Sequence, residues 1–209
     1  KNVIAISTDK AVKPVNAMGM TKALQEKLIL SDEITKDKTK FCCVRYGNVL
    51  GSRGSVIPLW DKRLDQNKPL PITHPDMTRF MLTLSQAIDL VFYSLKNSKG
   101  GEIFVKKAPA TKMINLARAY AELKTGKKNY PLEYIGIRAG EKIDEVLVSE
   151  EEMRRVQEKK DHFVIKREAE IDNRFVKKST KFTEYGSGTI SPLNIEELKS
   201  LMKKLKWVM

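Results

Sequence analysis

Short apolar runs alternate with longer stretches in which apolar residues recur at helical spacing, and this pattern alone divides the chain into elements. Val3-Ile4-Ala5-Ile6 is a β-branched run closed by Ser7, which predicts a buried strand over residues 3–7. A loop with Pro14 and Asn16 follows; Leu24, Leu28 and Ile29 then share one face of a helix predicted over 18–30. Asp37 to Lys40 reads as a polar turn, and Phe41 to Tyr46 as a second buried strand closed by Gly47-Asn48. A glycine-rich loop over 51–55 leads into a helix over 56–66, a short strand over 69–72 and a loop holding His74-Pro75-Asp76. Ser85 is the predicted cap of a helix over 85–95. The turn Gly100-Gly101 precedes a strand over 102–106, and a helix over 113–123 is stopped by Gly126. A strand over 132–137 runs into Arg138-Ala139-Gly140-Glu141-Lys142. From Ser149 the pattern is more charged and less regular, until a helix over 195–204 with Asn194 as its cap. Strands alternating with helices, the strands apolar throughout, predict an α/β protein with a parallel sheet.

The net charge of +13 raises nucleic acid or an acidic membrane surface as partners. The lysines are spread along the chain, however, and many sit beside glutamates, as in Glu196-Glu197-Leu198-Lys199, which is the pattern of solvated helix surface. No nucleic-acid or membrane partner is therefore predicted, and the positive field suits a diphosphate instead. No apolar run approaches the ~20 residues of a membrane span, and the opening residues carry no secretory leader. The chain starts in mid-strand without an initiator Met, so sequence upstream is expected. Cys42 and Cys43 point to opposite faces of a strand and read as core thiols of a cytoplasmic protein. His74 and His162 stand alone, without metal-ligand spacing or a nucleophile elbow, so neither a metal site nor a serine hydrolase is predicted.

The chemistry gathers in a few ordered clusters. Ser7-Thr8-Asp9-Lys10 follows the first strand, where open α/β sheets bind ligands, and sets an acid beside an amine. Lys22 lies one helical turn after Met18. Arg45-Tyr46-Gly47-Asn48-Val49 leads into Gly51-Ser52-Arg53-Gly54-Ser55, where glycines permit close backbone approach and a helix start favours anions. Met77-Thr78-Arg79-Phe80 and Arg138-Ala139-Gly140-Glu141-Lys142 add further arginines. Each cluster alone is equally a polar loop or a surface patch.

Together, in this order, they resemble the extended short-chain dehydrogenase/reductases. The stretch from Ser7 to Gly19 resembles the UDP-N-acetylglucosamine 4,6-dehydratases of bacterial and archaeal polysaccharide biosynthesis. In that superfamily a Tyr-x-x-x-Lys pair occupies this place; here Met18 stands in the tyrosine position, as it does in several dehydratases, and a thioether transfers no proton. The glycine turn that grips the dinucleotide pyrophosphate in the superfamily is not among these residues.

The resemblance implies a Rossmann-like doubly wound sheet, represented by its C-terminal part, with a smaller substrate lobe. Residues 1–50 belong to the nucleotide-binding domain, with 85–106 returning to it, and 51–84 and 107–209 form the lobe. It implies a cytoplasmic, homo-oligomeric UDP-sugar dehydratase using NADP or NAD, with or without inversion at carbon 5. Lys10 would remove the carbon-5 proton while Asp9 protonates the departing carbon-6 hydroxyl, either Asp9 or Thr8 with water would take the carbon-4 proton in place of Met18, and Lys22 would orient the cofactor ribose. Ser7, Tyr46, Gly47, Asn48 and Val49 would face the cofactor. Asn48, Arg53, Ser55, Arg79 and Arg138 would face the substrate diphosphate, with Glu141 near ribose or uracil. The alternatives are a UDP-sugar 4-epimerase of the same fold and a truncated, non-catalytic UDP-sugar-binding chain.

Overall fold

The computed structural model describes residues 1–31, 38–52, 54–167 and 182–204. Arg53 and Asp37 therefore lie outside the described residues. In chain order the elements are β1 (Asn2–Ile6), a 3-10 turn (Asp9–Ala11), α1 (Ala17–Ile29), β2 (Lys40–Arg45), β3 (Asn48–Val49), α2 (Val56–Asp65), β4 (Leu70–Ile72), β5 (Thr78–Leu82) and α3 (Leu84–Asn97). They continue with β6 (Ile103–Lys106), β7 (Ala110–Lys112), α4 (Met113–Thr125), β8 (Leu132–Tyr134), β9 (Val146–Val148), α5 (Glu150–Met153), β10 (Val156–Glu158), β11 (His162–Ile165), β12 (Tyr185–Gly186) and α6 (Ile195–Lys204).

The largest sheet has the order β1-β2-β6-β11-β10. β1, β2 and β6 are parallel, with Val3 opposite Phe41 and Val44 opposite Phe104. The central strand β2 is buried on both faces, which is why Phe41 to Val44 reads as an unbroken apolar run. Cys42 and Val44 face α3 in one layer with Leu90 and Phe104. Cys43 faces the other way, into a core with Phe80, Leu82, Leu147 and Ile165. Both cysteines are free thiols, and burial pushes that of Cys43 up to about 12. This is the mixed α/β, Rossmann-like architecture that the alternation predicts.

Several elements depart from the sequence pattern. The antiparallel hairpin of β10 and β11 extends the sheet beyond β6, so residues 156–165 join the same sheet as β1 and β2. The reason is tertiary: β6 would otherwise leave a row of unpaired backbone groups at the sheet edge. Thr78–Leu82, read only as a motif, is a strand pairing with β3 in parallel and β7 antiparallel. The helix expected to start at Ser85 starts at Leu84 and is capped by Thr83. The Thr83 hydroxyl accepts from Gln86 N, and Gln86 Oε1 accepts from Thr83 N, a closed capping box that outcompetes Ser85. The strand expected over 132–137 stops at Tyr134, where its pairing to β4 ends.

A second core joins α2, α4 and α6 through Trp60, Leu116, Tyr120, Leu198 and Met202. Gly126 closes α4 in the left-handed region (φ 71°), and Asn194 caps α6 by accepting from Glu197 N at 2.9 Å. Among the described residues no helix is long and apolar enough to cross a membrane.

Candidate functional site

Past Ile6 the chain keeps to the ladder for three more residues: Ser7 N donates to Val44 O at 2.8 Å and Asp9 N to Tyr46 O at 3.2 Å. This pairing carries residues 7–10 beyond the carboxyl ends of β1 and β2, where an open α/β sheet leaves its ligand crevice. The 3-10 turn that follows is capped by Thr8. The Asp9 side chain is fully buried. Its Oδ1 accepts from the Thr8 hydroxyl at 2.8 Å and meets Lys10 Nζ at 3.0 Å. Its Oδ2 has no hydrogen-bond partner among the described residues. Lys10 keeps 27% of its side chain in solvent, so the amine can be reached from the crevice.

Two glycines make this crowding possible. A Cβ at Gly47 would lie 2.6 Å from Phe80 Cβ and 3.4 Å from Asp9 Oδ2. A Cβ on Gly19, in the first turns of α1, would overlap the Lys10 carbonyl oxygen. Asn16 caps α1, accepting from Gly19 N at 2.8 Å, and fixes the helix against the same loop. Met18 is half exposed on α1. One turn on, Lys22 Nζ donates to Ile6 O and to Gln25 Oε1, both at 2.9 Å. Two of its three ammonium protons are thus used, and the group sits at the end of β1.

Ser7 turns inward. Its hydroxyl donates to Glu26 Oε1, so its proton is committed and its contribution is position. Glu26 in turn receives Arg45 Nε at 3.0 Å, and Arg45 reaches Glu152 through Nη1 at 3.0 Å and Nη2 at 2.9 Å, and Leu147 O at 2.8 Å. All these side chains are buried or nearly so. Burial alone would raise the Glu152 carboxyl. The Arg45 charge and hydrogen bond, with those from Ser149, outweigh it and hold Glu152 below the usual carboxylate range.

The segment 138–145 packs against the loop that follows β1. Asn16 Nδ2 donates to Gly140 O at 2.8 Å, and Lys142 Nζ to Val12 O at 2.9 Å. The Arg79 guanidinium donates to Thr78 O, Lys142 O and Ile143 O at 2.6–2.9 Å. Arg79, expected on a diphosphate, thus spends most of its donors holding this segment, although it also borders the adjoining cleft. That cleft, about 400 Å³, brings together Asn48, Ser55, Arg79, Arg138 and Glu141 from the sequence clusters. Ser55 occupies the cap position of α2 without a side-chain cap bond, and its buried hydroxyl has no partner among the described residues. Ser55, Val56 and Ile57, at the start of α2, line the cleft. Arg138 and Glu141 pair at the rim at 3.7 Å. Tyr46 and Val49 are half-buried against the core, and burial raises the Tyr46 phenol. Arg53 is outside the described residues.

One member escaped the sequence reading. Glu145 is buried, with Lys142 Nζ 3.0 Å from Oε2 and both Lys10 Nζ and Arg79 Nε 3.9 Å from Oε1. The available signal was a carboxylate set directly before the apolar run Val146-Leu147-Val148. Among the described residues no cluster of His, Cys, Asp or Glu could hold a metal ion.

Comparison with known proteins follows the same lines. A family model described as polysaccharide biosynthesis protein matches residues 1–167. A Rickettsia bellii protein named UDP-glucose 4-epimerase is 44% identical over 99% of the chain, and one of that name from Rickettsia felis is also 44% identical. The chain spans 62% of the length of these relatives. The X-ray structure of Pen from Bacillus thuringiensis superposes with a TM-score of 0.84 at 36% identity, over 98% of this chain and 62% of that one. A Bacillus anthracis dTDP-glucose 4,6-dehydratase in complex with NAD shares the fold at a TM-score of 0.58 and 17% identity, over 66% of this chain and 51% of that one. On the family match and these identities, the chain belongs to the polysaccharide biosynthesis protein family.

Proposed function

We propose that this protein is a UDP-sugar 4,6-dehydratase acting on UDP-N-acetylglucosamine with NADP or NAD, within surface polysaccharide or glycan synthesis. The observation that carries the reading is the buried Asp9–Lys10 pair at the end of β1, beside a helix with Met18 where a tyrosine base would stand. Removing water across carbons 5 and 6 needs a base for the carbon-5 proton and an acid for the carbon-6 hydroxyl. A 4-epimerase needs neither; both reactions need a group for the carbon-4 hydroxyl proton, which the Met18 thioether cannot supply, so the Asp9–Lys10 pair is what favours dehydration.

The two residues balance as a unit. Moving one proton along the 3.0 Å contact turns the ion pair into a neutral amine and a carboxylic acid. In that form Lys10 takes the carbon-5 proton and Asp9 gives its proton to the leaving hydroxyl. The pair returns to the ionic form, and one water is released. The Thr8 hydroxyl, adjoining Asp9, offers the carbon-4 proton a route to solvent.

The residues present fit a nicotinamide dinucleotide in part. Lys22, anchored on Ile6 O with one proton unused, would hold a ribose hydroxyl, and Gly47, Asn48 and Val49 border the same strand ends. When bound, the dinucleotide would accept hydride from carbon 4 and return it at carbon 6, with carbon 5 taking back a proton, so that one water leaves overall. The orphaned Ser55 hydroxyl and the start of α2, with Arg138 at the rim, favour a diphosphate in the cleft.

The second reading is a UDP-sugar 4-epimerase, supported by the names of the Rickettsia relatives. Mass analysis of the product from UDP-N-acetylglucosamine separates the two: the dehydratase product is lighter by one water, and the epimerase product is isobaric with the substrate.

A further inference from the structure

Lys10 is held by more than its neighbour in sequence. Its ammonium lies between two buried carboxylates, Asp9 at 3.0 Å and Glu145 at 3.9 Å. Glu145 arrives from the far side of the crevice, and its backbone is fixed: its N–H donates to Ser187 Oγ at 2.9 Å and its carbonyl accepts from Ser187 N at 2.7 Å. Its side chain is 3% exposed, and a carboxylate buried so deeply needs charge partners. It has three: Lys142 on one oxygen, Lys10 and Arg79 on the other. Lys142 and Arg79 are themselves tied to backbone carbonyls of residues 12, 78, 142 and 143. Of the three cations Lys10 keeps the largest share of its side chain in solvent, 27% against 15% for Lys142 and 11% for Arg79.

We infer that Glu145 is a positioning residue for Lys10, fixing the amine between two buried carboxylates while the segment bearing Arg138 and Glu141 is docked. A lysine side chain has many rotamers to lose, and one contact at Asp9 leaves it an arc of conformations. A second, opposite charge narrows that arc. At 3.9 Å the hold is electrostatic, beyond hydrogen-bond length, so Glu145 engages no donor of the Lys10 ammonium in a hydrogen bond. Because Lys142 donates to Val12 O and forms an ion pair with Glu145, the same carboxylate links the Lys10 loop to residues that border the cleft. The catalytic consequence rests on the dehydratase reading; the hold on Lys10 does not.

The test is Glu145→Gln in the intact protein, which keeps the volume and removes the charge. A brief pulse of acetic anhydride, read by peptide mass spectrometry, compares the acetylation of Lys10 with exposed Lys68 and with Lys199, which pairs with Glu122 far from the crevice. Product formation from UDP-N-acetylglucosamine is followed alongside. The expected result is a severalfold rise in Lys10 labelling with Lys199 unchanged, and a fall in kcat of about ten- to hundredfold with KM nearly kept. Unchanged Lys10 labelling overturns the inference, whatever the activity. So does a parallel rise at Lys199, which would mean general loosening. If the wild type forms no dehydrated product while Lys10 labelling still rises in the variant, the dehydratase reading fails and the hold on Lys10 stands. Glu145→Asp, which withdraws the carboxylate by one methylene, carries the same readouts should the glutamine variant not fold.

Discussion

Asp9 meets Lys10 through one oxygen only: Oδ1 lies 3.0 Å from the ammonium, while Oδ2 is buried with no hydrogen-bond partner among the described residues. A structural ion pair at a buried site would gain by saturating both oxygens, because an unsatisfied buried acceptor costs about 1–3 kcal/mol. A bond left unmade at that cost, beside an amine that keeps 27% of its side chain in solvent, accords with the proposed proton-transfer role of the pair.

On that basis Lys10→Ala and Asp9→Asn each lower kcat for dehydration by about 10²–10⁴, the range for losing a general acid or base. Binding of UDP, measured by calorimetry, stays near the wild-type value, since both residues act at the sugar rather than in the cleft. Loss of UDP binding in parallel with kcat would place them in binding instead.

Met18 is 47% exposed and brings no proton-transfer group to the site. Met18→Leu, similar in volume, is expected to keep kcat within about threefold. A larger loss, with an unchanged unfolding midpoint, would give the thioether a part in the chemistry that the proposed mechanism does not assign.

Gly19→Ala reverses a familiar sign. Alanine inside a helix ordinarily gains about 1 kcal/mol over glycine. Here the new methyl would strike the Lys10 carbonyl oxygen, a backbone atom of the site loop. The variant should unfold at a lower temperature than the wild type and lose activity, because the loop carrying Asp9 and Lys10 must shift. A raised melting temperature would contradict this packing.

Glu152 links acidity to stability. Its carboxyl ionises at lower pH in the folded protein than the ordinary 4.5 of the unfolded chain. Its stabilisation is therefore complete above about pH 4.5 and is lost as pH falls from there through the folded value. Glu152→Gln should cost about 2 kcal/mol near neutrality, less than the roughly 3–5 of a fully broken buried pair because Glu26 still faces Arg45. The gap from wild type should shrink on the acid side in urea titrations run across pH. A gap independent of pH would detach Glu152 from the Arg45 charge.

The parts of the fold that the sequence revealed are those whose pattern is local. The apolar runs at Val3 and Phe41 mark β1 and β2, and Gly126 marks the end of α4. Thr8, Asp9 and Lys10 were legible because they adjoin one another after a strand. What escaped depends on partners distant in sequence. Val156–Glu158 and His162–Ile165 are short and bordered by charge, and they become strands only because β6 offers an open edge. Glu145 acquires its meaning from Lys10 and Arg79, which no local spacing joins to it. Thr83 and Ser85 are both good caps by type, and only the reciprocal bond with Gln86 decides between them.

The most direct measurement is a proton NMR spectrum of the product formed from UDP-N-acetylglucosamine by the intact protein in deuterated water. Dehydration through carbon 5 predicts a new methyl signal at carbon 6, a 4-keto or hydrated ketone centre, and deuterium at carbon 5. A product that keeps its carbon-6 hydroxymethyl group and its carbon-5 proton, differing from substrate only in configuration at carbon 4, would contradict the account and make the protein an epimerase.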